Sequence, residues 1–140
     1  MAPRVSYAVG RLDRVLRRRL GEALEPHGLS LPEYTTLSVL HARSGLSNAQ
    51  LARRALITPQ AMNEVLARLE ERGLVRRRSD PAHGRVRPAE LTRAGERALA
   101  AADAGVDRVE RAMLGELSAA ERKRLAALLA AALRGLDGAT

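Results

Sequence analysis

A chain of 140 residues with a net charge of +8, no cysteine, no phenylalanine, no tryptophan and two tyrosines has the length of a single domain with a modest core. The missing thiols exclude disulfides and cysteine-based redox sensing, and no apolar run approaches the roughly 18–20 residues that span a bilayer. Hydrophobic content is 46% but rich in alanine, so each helix buries little area and a second copy is expected to complete the core. Arginines interrupt the first apolar stretch, which therefore does not read as a signal peptide; the cytoplasm is the expected address.

Val5, Val9, Leu12, Leu16, Leu20 and Leu24 recur at helical spacing and predict an amphipathic helix over 5–24, with Arg11, Arg14, Arg17 and Arg18 largely off the stripe. A membrane surface would also take such a helix, but bulky Trp or Phe anchors are absent. Ser30-Leu-Pro-Glu33 is a capping box announcing a helix from Leu31 to about Ala42. Ser47-Asn-Ala-Gln50 is another, opening a short helix whose buried face is Leu51, Ala52, Ala55 and Leu56. Thr58 then caps a further helix, Pro59 occupies its first position and Gly73 supplies a left-handed stop. Between them Met62, Val65, Leu66 and Leu69 fall at i, i+3, i+4 and i+7.

Two helices joined by so short a turn predict a helix-turn-helix, whose second helix enters the major groove of DNA. The polar face of that helix carries Gln60, Asn63, Glu64 and Arg68, with Thr58 and Pro59 at its leading end. These side chains can read base edges: Gln or Asn bidentate to adenine, Arg to guanine, Glu accepting from cytosine. Residues 74–78 and 86–91 read as short strands around the turn Ser79-Asp80-Pro81-Ala82-His83-Gly84, which makes a wing. Five arginines (Arg76, Arg77, Arg78, Arg85, Arg87) face one acid, Asp80, on that hairpin, a charge run that needs an anion beside it. Phosphate contact is expected from these five and from Ser47, Arg53 and Arg54. Thr92 can cap a long helix with a stripe of Ala98, Ala102, Val106, Val109 and Met113. Ser118-Ala-Ala-Glu121 is a third box, followed by Leu125, Leu128, Leu129, Ala132, Leu133 and Leu136. The economical way to bury these stripes is for the first helix and the last two to interlock with their copies across a two-fold axis.

Leu69-Glu-Glu-Arg-Gly73-Leu-Val75, Asp80-Pro-Ala-His-Gly-Arg85 and Leu91-Thr92-Arg-Ala-Gly95 resemble, in order and spacing, the MarR family of bacterial winged-helix regulators, and the resemblance extends over nearly the whole chain. It implies that Arg85 sits at the wing tip and enters a narrow A·T-rich minor groove. The chain departs from the family at His83, where Asp is common, at Pro88, which suits only an edge strand, and at Asn63 and Glu64, where a hydroxyl and a basic residue are frequent. The resemblance also implies a crevice for small anionic or phenolic ligands between the dimer base and the reader, and Tyr7, Arg14, Tyr34 and His41 are the polar or aromatic groups that would line it.

The expected fold is therefore mainly α with a small β wing (α+β): one domain over 1–140, with dimerisation helices in 1–30 and 93–140 and a winged helix-turn-helix in 31–92. The expected function is that of a homodimeric, sequence-specific regulator on a pseudo-palindromic duplex, a repressor released by ligand, with no cofactor and no metal. The alternative is a basic helical adaptor for RNA or a protein partner, although RNA readers usually stack bases on aromatics and Tyr7 and Tyr34 lie off the reader helix. An enzyme is disfavoured: His27, His41 and His83 stand far apart, and neither a phosphate loop nor a nucleophile elbow is present.

Overall fold

Side-chain caps determine where the helices begin. The computed structural model describes residues 2–77, 79, 80, 85, 86 and 88–138. Along them run α1 (Val5–Leu24), a 3-10 turn (Glu25–His27), α2 (Leu31–Ala42), α3 (Asn48–Ala55), α4 (Pro59–Glu71), β1 (Val75–Arg76), β2 (Ser79–Asp80), β3 (Arg85–Val86), β4 (Glu90–Leu91), α5 (Arg93–Met113) and α6 (Ala119–Asp137). The hydroxyls of Ser30, Ser47, Thr58, Thr92 and Ser118 each accept the backbone N–H three residues on, opening α2 through α6. Ser30, Ser47 and Ser118 form full capping boxes with Glu33, Gln50 and Glu121, as their spacing predicts. Gly73, at φ 71°, takes the left-handed conformation that ends α4.

The core lies where α2, α3 and α4 meet the end of α1 and the root of the wing. Leu24, Leu37, Leu66, Leu69 and Met62 are wholly buried there, with Leu51 and Val75 nearly so. Thr36 donates its hydroxyl to the Pro32 carbonyl at 2.7 Å, which lets a polar residue sit in this cluster without an orphaned group.

The wing is paired as two short antiparallel ladders. Val75 faces Leu91 and Arg76 faces Glu90; Ser79 faces Val86 and Asp80 faces Arg85. The sequence predicts two continuous runs, but Pro88, which has no N–H to donate, lies between β3 and β4. Thr92 locks the root: its N–H donates to the Leu74 carbonyl at 3.1 Å, its hydroxyl donates to the Gly73 carbonyl at 2.6 Å, and that hydroxyl accepts the Gly95 N–H at 3.0 Å. Gly95 is required by this closeness, since a Cβ there would fall 2.0 Å from the Leu74 carbonyl oxygen. The Leu-Thr-x-x-Gly run is thus a clasp between the end of α4 and the start of α5.

Helix α5 packs against α1 and α2. Its buried residues are Gly95, Leu99, Ala102, Gly105 and Val109, whereas Ala98, Val106 and Met113 of the expected stripe are half-buried. Flanking by two helices widens and rotates the covered face. At the far corner the Arg122 Nε donates to the Leu114 and Leu117 carbonyls, at 3.2 and 3.1 Å, tying the turn after α5 to the first turn of α6. Within one chain α6 buries no residue, and Leu128, Leu129, Leu133 and Leu136 are exposed, as are Val5, Val9, Leu12 and Val15 of α1.

Two stability outcomes follow from the backbone. Leu56, at φ 58° and 81% exposed, holds a left-handed conformation that disfavours a branched side chain. Leu56→Gly should raise the unfolding free energy by about 0.5–1 kcal/mol, because relief of the conformation exceeds the entropy added to the unfolded chain. Gly95→Ala should lower it by about 3 kcal/mol through collision with backbone. Urea melts measure both, and an unchanged midpoint for either variant contradicts the argument.

Candidate nucleic-acid interface

Helix α4 has two faces of different chemistry. Met62, Val65, Leu66 and Leu69 are buried, while Gln60, Asn63, Glu64 and Arg68 are exposed, with Thr58 and Pro59 exposed at the leading end. The Thr58 hydroxyl is occupied by the Ala61 N–H at 3.1 Å, so it fixes the helix start rather than projecting freely. Ser47 does the same for α3, accepting the Gln50 N–H at 3.2 Å. Asn48, in the first turn of α3, donates its Nδ2 to the Oδ1 of Asn63 at 2.5 Å, joining the two helices on the polar side.

The arginines divide into paired and unpaired sets. Arg76 lies 3.5 Å from Glu90 across the β1–β4 ladder, and Arg77 lies 3.5 Å from Glu70 on α4. Two of the five wing arginines are therefore balanced within the chain, which the charge count did not reveal. Arg85 stands in β3 opposite Asp80; Arg78, Arg87 and His83 lie outside the described residues. Arg53 and Arg54 are exposed and form no ion pair among the described residues. With Arg43, Leu46 and Gln50 they line a cavity of about 310 Å³ whose wall holds no carboxylate. Arg43 gave no signal in the sequence, because a single arginine at a helix end has no periodic partner.

Arg72 orients the reader on its base. Its Nη1 donates to the Gly28 carbonyl at 2.7 Å and to the Glu33 Oε2 at 3.3 Å, while the Glu33 Oε1 accepts the Ser30 N–H at 3.0 Å. One buried carboxylate thereby holds the start of α2 and the end of α4 together. The Glu-Arg-Gly run carried this residue, but only the fold supplies its partners.

The four residues expected to line a ligand crevice stand apart. Tyr34 bridges α2 to α5, its hydroxyl donating to the Asp103 Oδ1 at 2.5 Å. Burial, and then the Asp103 carboxylate, push its phenol up to about 12. Tyr7 is 60% exposed on α1, and Arg14 is exposed on the same helix. His41 borders a separate cavity of about 380 Å³ with Ser44, Glu90 and Glu96 at the wing root. A crevice of about 200 Å³ does separate α1 from the start of α2 and the α3–α4 turn, but its wall is Leu16, Leu20, Leu31 and Ile57 with Asp13, Arg17, Arg54 and neighbours. Asp13 holds Arg17 at 3.0 Å, so among the described residues Arg54 is the cation free to meet an anion there. No helix among the described residues is long and apolar enough to cross a membrane.

A capped reader helix, a short helix before it and a hairpin after it define a winged helix-turn-helix set on a helical base. The model of the MarR family matches residues 27–86. The HTH-type transcriptional repressor Rv2887 of Mycobacterium tuberculosis is 40% identical over 125 residues, covering 89% of this chain and 90% of that protein. The crystal structure of Rv2887 in complex with p-aminosalicylic acid has a TM-score of 0.76 at 40% identity, over 91% of this chain and 96% of the other. The same protein in complex with DNA has a TM-score of 0.74 at 39% identity, over 92% and 96%. The chain belongs to the MarR family and is a transcriptional regulator.

Because the folded chain favours the neutral Tyr34 phenol, that contribution to stability is complete below the ordinary value of 10.0 and is lost as pH rises through about 12. In a Tyr7→Phe background, ultraviolet absorbance should show the remaining phenol titrating near 12. Asp103→Asn should lower that midpoint; a midpoint of 10.0 before the substitution would rule out the α2–α5 bridge.

Proposed function

We propose that this chain is a homodimeric, cytoplasmic repressor that binds a pseudo-palindromic duplex operator and is released by a small anionic or phenolic ligand. The observation that carries the reading is the two-faced α4, fully buried on its apolar side and exposed along Gln60, Asn63, Glu64 and Arg68. A polar helix raised in this way fits a major groove, where these side-chain types discriminate bases. Arg85 on the wing serves the minor groove, and Arg43, Arg53 and Arg54 add phosphate contacts that fix register without reading sequence. The complex of Rv2887 with DNA supports this use of the fold.

Dimerisation follows from what one chain leaves uncovered. Leu128, Leu129, Leu133 and Leu136 on α6 and Val5, Val9 and Leu12 on α1 are exposed leucine and valine side chains on helices whose other faces are charged. A second copy related by a two-fold axis covers them and sets two readers at half-site spacing. For the effector, the crevice between α1 and the α3–α4 turn offers an apolar wall and the Arg54 guanidinium, which suits an aromatic carboxylate. The complex of Rv2887 with p-aminosalicylic acid supports a ligand of that class.

Fluorescence anisotropy on duplexes recovered from a random pool tests the reading. Affinity should fall on the order of 10³–10⁵-fold between about 50 and 200 mM salt if the dimer makes some six to ten phosphate contacts. Leu129→Glu should give a monomer by sedimentation and abolish operator binding. A flat salt profile, or tighter binding to RNA than to duplex DNA, would favour the adaptor reading instead.

A further inference from the structure

We propose that Asn48 sets the base preference of Asn63, so that Asn63 meets DNA through its amide donors and selects guanine over adenine; this rests on the DNA-reading role of α4. An unconstrained Asn offers one acceptor and one amino group, the combination that pairs with the N7 acceptor and N6 donor of adenine. Here the Asn63 Oδ1 already accepts the Asn48 Nδ2 at 2.5 Å. Asn48 is held in place, because it follows Ser47 in a capping box closed from both ends by Gln50. To present its Oδ1 to an adenine N6, Asn63 must share that oxygen with Asn48 through its second lone pair, which confines the approach of the base, or give up this bond.

The half of the Asn63 amide that is not shared with Asn48 is its Nδ2, which carries two donors and no acceptor. Guanine displays two acceptors, N7 and O6, in the major groove, whereas adenine places a donor beside its N7 and cytosine presents a donor. Donors alone therefore match guanine and oppose the N6 and N4 amino groups. The same contact joins the base-reading side chain to the first turn of α3, so the register set by α3 and the base choice made by α4 are coupled through one pair of amides. Gln60, one turn earlier on the same face, has no such contact among those described and keeps both halves of its amide.

The experiment compares relative affinities for half-site duplexes varied at each position, using the full chain and its Asn63→Ala, Asn48→Ala and Asn48→Asp variants. The unmodified chain should prefer guanine to adenine on the order of tenfold at one position of each half-site, and Asn63→Ala should erase that preference. Asn48→Ala frees the amide and should move the preference toward adenine. Asn48→Asp accepts from the Asn63 Nδ2, turns its Oδ1 toward the DNA and should favour adenine or cytosine. Ratios between duplexes cancel any general loss of affinity from the added carboxylate. Should Asn48→Ala unfold in a thermal melt, Asn48→Asp carries the comparison. Specific binding with an unchanged base profile in the folded Asn48 variants overturns the proposal while leaving the DNA reader intact. An unmodified chain that binds no duplex specifically strikes the reader itself.

Discussion

The burial of one stripe on α4 governs the rest of the structure. Met62, Leu66 and Leu69 are completely enclosed and Val65 nearly so, and each such side chain contributes roughly 1.5–3 kcal/mol on leaving water. A helix cap contributes about 1 kcal/mol, so packing fixes the rotation of α4 and the caps fix only its ends. A rotation by one residue, about 100°, would drive a polar side chain into the cluster and expose a leucine. The orientation of Gln60, Asn63, Glu64 and Arg68 is thus a consequence of core formation. The Arg72 contacts with Gly28 and Glu33 then hold the far end of the helix against the α1–α2 junction.

Helix starts, the helix-turn-helix and the basic hairpin were legible because capping and amphipathic spacing are local properties of the chain. Ser30, Ser47 and Ser118 announce their helices within four residues, and no distant contact alters that chemistry. Contacts between distant segments were not legible. The Asn48–Asn63 bond spans fifteen residues and the Tyr34–Asp103 bond sixty-nine. The sequence offers Tyr34 as a group that could line a ligand crevice, and the bond by which its hydroxyl joins α2 to α5 is supplied by the fold. Gly95 was visible as part of a pattern, but its reason, a backbone carbonyl at the distance of a missing methyl group, belongs to the fold. The buried face of α5 shifted for a related cause: two neighbouring helices, rather than one, decide what it covers.

Charge is distributed differently from its count along the chain. Arg76 and Glu90 are each more than half exposed, and such a pair is worth about 0–1 kcal/mol, so exchanging the carboxylate for a phosphate costs little. Arg77 has a side chain only 20% exposed beside Glu70, and it serves to fasten β1 to α4. Arg43, Arg53 and Arg54 gather instead around a cavity without acids. The positive field of the reader therefore extends along its flank, through the α2–α3 junction, as well as along the hairpin.

The corner braced by Arg122 has a mechanical consequence. With the Leu114 and Leu117 carbonyls held by one guanidinium, α5 and α6 meet at a stiffened elbow. The nineteen residues of α6 extend about 28 Å, so turning the elbow by about 10° carries the distal tip some 5 Å. A small twist delivered along α5 would thereby be enlarged into a sideways stroke at the end of a long arm.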